Sequence, residues 1–565
     1  MLPDSRDGIR QEGVLALRLF PCYNLPEGIG QGCMQPERRD DMKTIYYGGT
    51  IRTMSRQETT EAVFVNDARI AAVGTYSELR QLAPDAGEYD LQGRTMLPAF
   101  IDAHSHLSSY AMSFLQVPLD ECCSFEEIAG RIENFMKTNH VKPGEWIIAK
   151  GYDHNALKEK KHPDIAFLDE TAPDNPLVLQ HASGHVGVFN SRALAELGIT
   201  ANTSSPAGGR IGLADGKLTG YLEENAFISS MKKLPMSSME DMMLAYRKAQ
   251  ESYAAHGITM VQEGMTVGQM LPLYQYLTAK QMLHLDVCAY LVPEDADGFL
   301  NTFPESVGAY HDHFRIGGYK IVLDGSPQGR TAWMETPYRN QEPPYYGYGT
   351  LSDEAVQAAV RLAAEHRMQI LAHCNGDAAA EQFIRAVEVV SHEYPVKEIR
   401  PVMIHAQLLR PDQLARVAEL GIIPSFFAAH VYHWGDAHIR NFGMERASNI
   451  SPACSALKHG IRFTFHQDTP VIEPDMLETV WCAVNRVTKA GIILGEQECI
   501  SVVEALKAVT INAAYQYGEE SVKGSIEPGK AADFVILDRD PVTVDPVKIR
   551  NIQVLHTISD GKVIY

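Results

Sequence analysis

Two histidines at the end of a short apolar segment give the strongest chemical signal in the sequence. His104 and His106 follow Phe100–Ala103 and are two residues apart. Because alternate residues of a β-strand point to the same side, both imidazoles are expected to project together from the end of a strand. Neutral imidazoles bind borderline divalent cations such as zinc. A second pair with this spacing, His311 and His313, precedes its strand and is interpreted as a chance pattern.

Three later strand-like segments also end in residues that can bind a metal ion. His373, His405 and Asp468 each close an apolar run. A lone histidine in such a place is more often a core residue, but here three runs end alike at intervals typical of repeating strand–helix units. His466 shares a strand face with Asp468 one layer deeper. It either supports the site or fills the interior, and we favour the second interpretation.

Alternating strands and helices must position these side chains. Eight apolar segments separated by amphipathic helices predict an α/β protein with a (β/α)8 TIM barrel, in which residues at the carboxyl ends of strands share the catalytic face. The predicted strands are Phe100–Ala103, Ile258–Glu263, Leu285–Leu291, Gly318–Leu323, Ile370–His373, Val402–His405, Ile422–Phe426 and Phe463–Asp468.

The rest of the chain divides around this barrel, which is expected over residues 99–520. Residues 1–42 lack periodicity and are expected to be a disordered extension. Short β-segments in 43–98 and 521–565 are too small to form separate cores, so we expect one small β-sandwich built from both chain ends. The long interval after the first strand predicts an insertion at about 115–250 that covers the catalytic face.

Composition excludes several classes of function. The 565 residues include 71 acidic and 50 basic ones, and the net charge of −21 argues against a nucleic-acid partner. No apolar run approaches the roughly 18 residues of a membrane span. Nine scattered cysteines without a CxxC pair favour a reduced, cytoplasmic protein. We expect a small-molecule substrate, and the possibility of a homodimer stays open.

Several longer motifs surround these candidate ligands. Over about residues 43–565 the sequence resembles the amidohydrolase superfamily, and within it the YtcJ-like metal-dependent hydrolases (amidohydrolase family 3). The motifs that carry the resemblance are Asp90–His106, Asp324–Ala332, His373–Asp377, Ile404–Gln407, Asp468–Val471 and Gly524–Asp533.

The resemblance implies a complete metal site for one or two divalent ions, with zinc as the expected metal. Its ligands would be His104, His106, Lys320, His373, His405 and Asp468. Related enzymes carry a carbamate, derived from CO2, on the lysine that matches Lys320, and this group bridges two metals. The alternatives are an unmodified Lys320 with one metal, or a Lys320 that pairs with a carboxylate.

The expected reaction is hydrolysis of a non-peptide C–N bond by metal-activated hydroxide, with Asp468 as the proton shuttle. The favoured substrate is an amide of the N-acyl or N-substituted formamide type. The alternatives are a deaminase or an ester or cyclic-urea hydrolase on the same site, a metal-free barrel enzyme, and a non-catalytic regulatory protein on a retired hydrolase scaffold.

Substrate contacts are expected from loops on the catalytic face. The candidates are Asp153, His185 and Glu224 in the insertion, and Arg330 and His433 after later strands. Ordinary surface or fold-stabilising roles explain these polar residues equally well. The substrate itself cannot be named, because specificity lies in such loops rather than in the metal ligands.

Overall fold

The computed structural model describes residues 43–235 and 237–565 of the chain. The predicted extension, residues 1–42, lies outside the described residues. The described chain falls into two units. The first runs up to Ser105 and continues with Ala254–Asp468 and Asp475–Tyr565, and the second consists of His106–Tyr253 and Thr469–Pro474.

An eight-stranded parallel sheet forms the centre of the first unit. Each strand pairs with its neighbour in chain order, and the strands are nearly continuously buried, as expected when helices cover a parallel sheet. The α/β class is thus confirmed, and a strand lies at each of the eight predicted places. The first strand ends at Ile101 and the eighth at Phe465, so both are shorter than predicted. From first to eighth, the strands are Phe100–Ile101, Ile258–Thr266, Asp286–Leu291, Phe314–Val322, Gln369–Cys374, Val402–His405, Ile423–Phe426 and Thr464–Phe465.

Helices of the first unit follow the strands and begin at recognisable signals. The hydroxyl of Ser352 accepts a hydrogen bond from the Ala355 N–H at a helix start, and Pro411 occupies a first-turn position. The helices are Tyr76–Leu82, Leu271–Ala279, Ala296–Thr302, Asp353–His366, Asp377–Ser391, Pro411–Leu420, His430–Phe442, Met444–Ala447, Ala453–Lys458, Met476–Asn485, Val502–Ala508 and Ile511–Gln516. Among the described residues, no helix combines the length and apolar composition that a bilayer crossing requires.

The first unit has two further sheets, and the second of them combines strands from both ends of the chain. One has the strands Lys43–Tyr47, Ala62–Asn66, Arg69–Gly74 and Gly87–Asp90, and the other has Thr50–Arg52, Thr59–Thr60, Thr95–Pro98, Phe534–Leu537, Val554–Ser559 and Lys562–Val563. Thr95–Pro98 pairs antiparallel with Phe534–Leu537. Buried side chains of both sheets, including Tyr46, Met96 and Phe534, form one hydrophobic cluster.

The second unit has a mixed sheet of its own. In spatial order its strands are Gly209–Ala214, Lys217–Glu224, Val186–Phe189, Leu177–His181, Ile147–Tyr152 and Val117–Pro118. The last three of these strands are parallel to one another. Its helices are Leu107–Ser113, Phe125–Thr138, Ile165–Thr171, Ser191–Glu196 and Asn225–Met231, and Met239–Ala255 leads back to the first unit. Sequence analysis anticipated an insertion here but not this sheet.

Candidate metal centre

Five of the six predicted metal ligands lie together in the first unit. Lys320 Nζ is 3.2 Å from His104 Nε2, and Asp468 Oδ1 is 3.5 Å from the same nitrogen. Asp468 Oδ2 is 3.9 Å from His405 Nε2. The rings of His373 and His405 have centroids 4.5 Å apart. Since parallel strands end on one edge of a sheet, residues distant in the chain converge as the strand pattern predicts.

His106, the sixth predicted ligand, is the first residue of the second unit. It precedes the helix Leu107–Ser113, and its backbone N–H donates to the carbonyl of Thr469 in the same unit, at 2.8 Å. The first strand ends at Ile101, so His104 and His106 follow the strand and do not alternate along it. The role of His106 as a ligand stays a prediction.

A buried amide sets the orientation of His104. Gln262 donates through its amide nitrogen to the Ala103 carbonyl and to the Tyr517 hydroxyl, each at 3.0 Å. Its oxygen therefore faces His104 Nδ1, 2.6 Å away, and accepts the proton of that nitrogen. The lone pair of His104 consequently lies on Nε2, the nitrogen that faces Lys320 and Asp468.

A second imidazole supports His405. His466 Nε2 is 3.1 Å from His405 Nδ1, and His466 Nδ1 is 2.9 Å from the Ser425 hydroxyl. Burial and the neighbouring imidazoles hold the pKa of His405 well below its usual value, so its ring is uncharged. This contact with a predicted ligand fits the alternative that His466 supports the site, and not the favoured interpretation of interior filling.

His373 has a carboxylate partner that sequence analysis did not assign. Its Nδ1 is 3.2 Å from Asp324 Oδ1. The Asp324 carboxylate is buried and accepts backbone N–H groups from Asn375, Gly376 and Trp333 at 2.7 to 3.0 Å. The signal was present in the sequence, because an aspartate followed directly on the predicted fourth strand.

Burial brings Lys320 into a reactive protonation range. The side chain is almost fully buried, and the loss of solvation lowers its pKa to about 8. A fraction of the amine is therefore uncharged near neutral pH, and only an uncharged amine adds CO2 to form a carbamate.

A buried carboxyl group also lies next to the site. Asp102 is fully buried, and its burial raises its pKa to about 8. Its carboxyl oxygen accepts the backbone N–H of His104 at 3.2 Å.

Two predicted substrate residues of the first unit contact protein groups. Arg330 Nε donates to the side-chain oxygen of Asn441 at 2.9 Å. His433 Nε2 lies 3.4 Å from Glu478 Oε2, and its ring centroid is 5.4 Å from that of Trp434. Both residues belong to segments that follow strands of the parallel sheet, and their contact with substrate stays a prediction.

The three predicted substrate residues of the second unit do not lie in one cluster. His185 Nδ1 pairs with Glu224 Oε2 at 3.1 Å, and both side chains are more than half exposed. Asp153 instead lies beside His154 and His181. Their contact with substrate likewise stays a prediction.

The donor set of the first unit fits a divalent cation of the zinc class. His104, His373 and His405 each have a hydrogen-bond partner at Nδ1. Nε2 of His104 and of His405 faces Asp468, whereas Nε2 of His373 lies 3.3 Å from Asn375 Nδ2, a contact that a cation would have to replace. Asp468 adds an anionic oxygen, and a carbamate on Lys320 would add two more. Imidazole nitrogen with carboxylate oxygen is a common zinc ligand set.

Comparison with known proteins decides the family. Residues 87–565 match the family model described as the amidohydrolase family. The chain belongs to this family. The resemblance inferred from the motifs is therefore confirmed, and the protein is a metal-dependent hydrolase of C–N bonds with an α/β fold built on a curled parallel sheet.

Individual relatives of this amidohydrolase align with it over nearly their whole length. The putative amidohydrolase YtcJ of Bacillus subtilis (strain 168) is 29% identical over 539 residues, or 93% of this chain and 99% of that protein. An N-substituted formamide deformylase of Arthrobacter pascens is 30% identical over 538 residues, which are 91% and 97% of the two chains. The structure of an uncharacterized metal-dependent hydrolase from Pyrococcus horikoshii OT3 matches with a TM-score of 0.72 and 25% identity, covering 89% of this chain and 99% of that one.

The Gln262–His104 hydrogen bond yields a first prediction. We expect Gln262→Met to weaken zinc binding about 10- to 100-fold, the usual effect of losing such a supporting partner. Gln275→Met, at an exposed helix position, is the matched control. Competition with a chromophoric chelator measures the affinity, and an unchanged value for Gln262→Met would reject the orienting role.

Proposed function

We propose that this protein hydrolyses an amide of the N-acyl or N-substituted formamide type. The observation that carries the proposal is the convergence of three imidazoles, Lys320 and Asp468 at one edge of the parallel sheet. The similarity to an N-substituted formamide deformylase supports the substrate class. We further propose that the sheet is a (β/α)8 barrel flanked by a β-sandwich of residues 43–98 and 521–565.

The proposed centre holds one or two zinc ions on the six predicted ligands. Bound zinc would polarise the substrate carbonyl and lower the pKa of a water molecule. The protein's own contribution is to orient three imidazoles through their Nδ1 partners. Because these side chains are already oriented, they need to move little when the reaction occurs.

Asp468 is the proposed proton shuttle. Its two carboxylate oxygens face the Nε2 atoms of His104 and His405 at 3.5 and 3.9 Å. Asp468 accepts a proton from the attacking water as the C–O bond forms. It then delivers that proton to the nitrogen as the C–N bond breaks, giving a carboxylic acid and an amine.

Lys320 is proposed to carry a carbamate. A free ammonium cannot donate electrons to a cation, whereas a carbamate offers two anionic oxygens. The burial that lowers the pKa of Lys320 to about 8 supports this modification, because it favours the uncharged amine.

A substrate panel tests the reaction class. We expect N-substituted formamides and N-acyl amines to release an amine and a carboxylic acid, with activity lost on chelation and restored by zinc. Ammonia release from cyclic amidines would indicate a deaminase instead. Activity that survives exhaustive chelation would reject the metal mechanism, and stoichiometric zinc without turnover on any member would favour a non-catalytic protein.

The shuttle role predicts the effect of Asp468→Asn. We expect kcat to fall by about 10²- to 10⁴-fold, the usual contribution of a positioned acid–base group. The thermal unfolding midpoint should stay close to that of the parent protein. Asp67→Asn, in an exposed turn where asparagine tolerates the positive φ, is the control. Retained turnover in Asp468→Asn would contradict the assignment.

The carbamate is tested by chemical rescue. Lys320→Ala should lose zinc and activity, and added propionate should restore part of both, because its carboxylate can replace the carbamate oxygens in the vacated space. The parent protein should not respond to propionate. Full activity in Lys320→Met, which cannot be carbamylated, would show that the modification is not needed.

A further inference from the structure

A second group of metal-binding side chains lies wholly within the second unit. Asp153, His154 and His181 each direct one donor atom into a common region. His154 Nδ1 is 3.1 Å from His181 Nε2, and Asp153 Oδ1 is 3.6 Å from His181 Nε2 and 3.8 Å from His154 Nδ1. We refer to these three residues as the insertion triad.

Two adjacent parallel strands place the triad. Asp153 and His154 follow directly on the strand Ile147–Tyr152, and His181 ends the neighbouring strand Leu177–His181. Tyr152 is the strand partner of His181. Carboxyl ends of parallel strands meet at one edge, so the position of the triad follows from the strand register and not from a chance meeting of mobile loops.

The distances within the triad match those around a single zinc ion. Zinc binds imidazole nitrogen and carboxylate oxygen at about 2.0 to 2.2 Å, so neighbouring ligand atoms of a tetrahedral site lie about 3.3 to 3.6 Å apart. The three separations in the triad, from 3.1 to 3.8 Å, bracket this value. Only small side-chain adjustments would therefore bring all three atoms to bonding distance.

Supporting contacts hold the triad in this arrangement. The Asn155 backbone N–H donates to Asp153 Oδ1 at 2.8 Å, which directs the carboxylate. The ring of His162 stacks on that of His154 with centroids 4.1 Å apart, and its Nδ1 is 2.9 Å from the Tyr152 hydroxyl.

His181 has a partner for either of its tautomers. The Ser183 N–H donates to His181 Nδ1 at 3.0 Å, which places the proton of a neutral ring on Nε2, where it points towards His154 Nδ1. The Ser183 hydroxyl is also 2.9 Å from Nδ1 and can accept a proton there. A cation at Nε2 requires the proton to move to Nδ1, where the Ser183 hydroxyl can accept it and from which the Ser183 N–H must turn away.

We propose that Asp153, His154 and His181 bind a divalent cation of the zinc class, independently of the centre in the first unit. Three protein ligands leave a fourth position for water or another small ligand. The side chains of His181, His154 and Asp153 are 12, 30 and 47% exposed, so the cation can enter from solvent. This site assigns Asp153 to metal binding, where sequence analysis expected a substrate contact.

Zinc content of the full-length protein tests the proposal. After equilibration with zinc and removal of the unbound excess, the parent protein should hold one equivalent more than His154→Asn or His181→Asn. His140→Asn, an exposed histidine of the same unit, should retain the full content. Equal zinc content in all four proteins would overturn the proposal and leave a purely hydrogen-bonded histidine cluster.

Two further variants keep the test decisive. Asp153 is half exposed, so Asp153→Asn should fold normally. Because it removes the anionic ligand, it should weaken Co2+ binding in the second unit about 10-fold or more. Unchanged Co2+ affinity would overturn the proposal. His405→Asn disables the centre of the first unit, which separates this proposal from the proposed function. One zinc equivalent should remain in that variant and disappear when His181→Asn is added, whereas persistence in the double variant would overturn the site.

Discussion

The proposed chemistry depends on three imidazoles that each have a hydrogen-bond partner at Nδ1. A histidine can offer a lone pair at Nε2 only if its proton stays on Nδ1, and that requires an acceptor held in place on the far side of the ring. Gln262, Asp324 and His466 fill this position for His104, His373 and His405 respectively. Each partner is buried, so water cannot compete for the bond.

The three partners differ in chemical character, and the ligands should differ accordingly. The amide oxygen of Gln262 attracts the Nδ1 proton of His104 only weakly. The carboxylate of Asp324 attracts the Nδ1 proton of His373 more strongly and makes that ring a more electron-rich ligand. His405 relies on another imidazole, that of His466, whose Nδ1 lies 2.9 Å from the Ser425 hydroxyl. The Asp324 carboxylate accepts hydrogen bonds from three backbone N–H groups, which fix its position. The fixed carboxylate in turn restricts the orientation of the His373 ring.

The sequence predicted the positions of ligands better than the contacts that orient them. His373, His405 and Asp468 could be found because each ends an apolar run, and parallel strands bring such ends together. Lys320 lies inside its strand and was identified only through the family resemblance. The roles of Gln262 and His466 depend on which neighbouring strand each side chain faces, and a polar residue within an apolar strand looks the same whether it orients a ligand or fills the interior.

The pairing of Thr95–Pro98 with Phe534–Leu537 has a consequence for biosynthesis. More than four hundred residues must be translated before the amino-terminal strand meets its partner, so during that time one of its edges has open N–H and C=O groups. Such an edge can recruit a strand from another chain. A nascent or carboxyl-terminally shortened chain should therefore depend on chaperones far more than the finished protein, although all of its proposed metal ligands have already been synthesised.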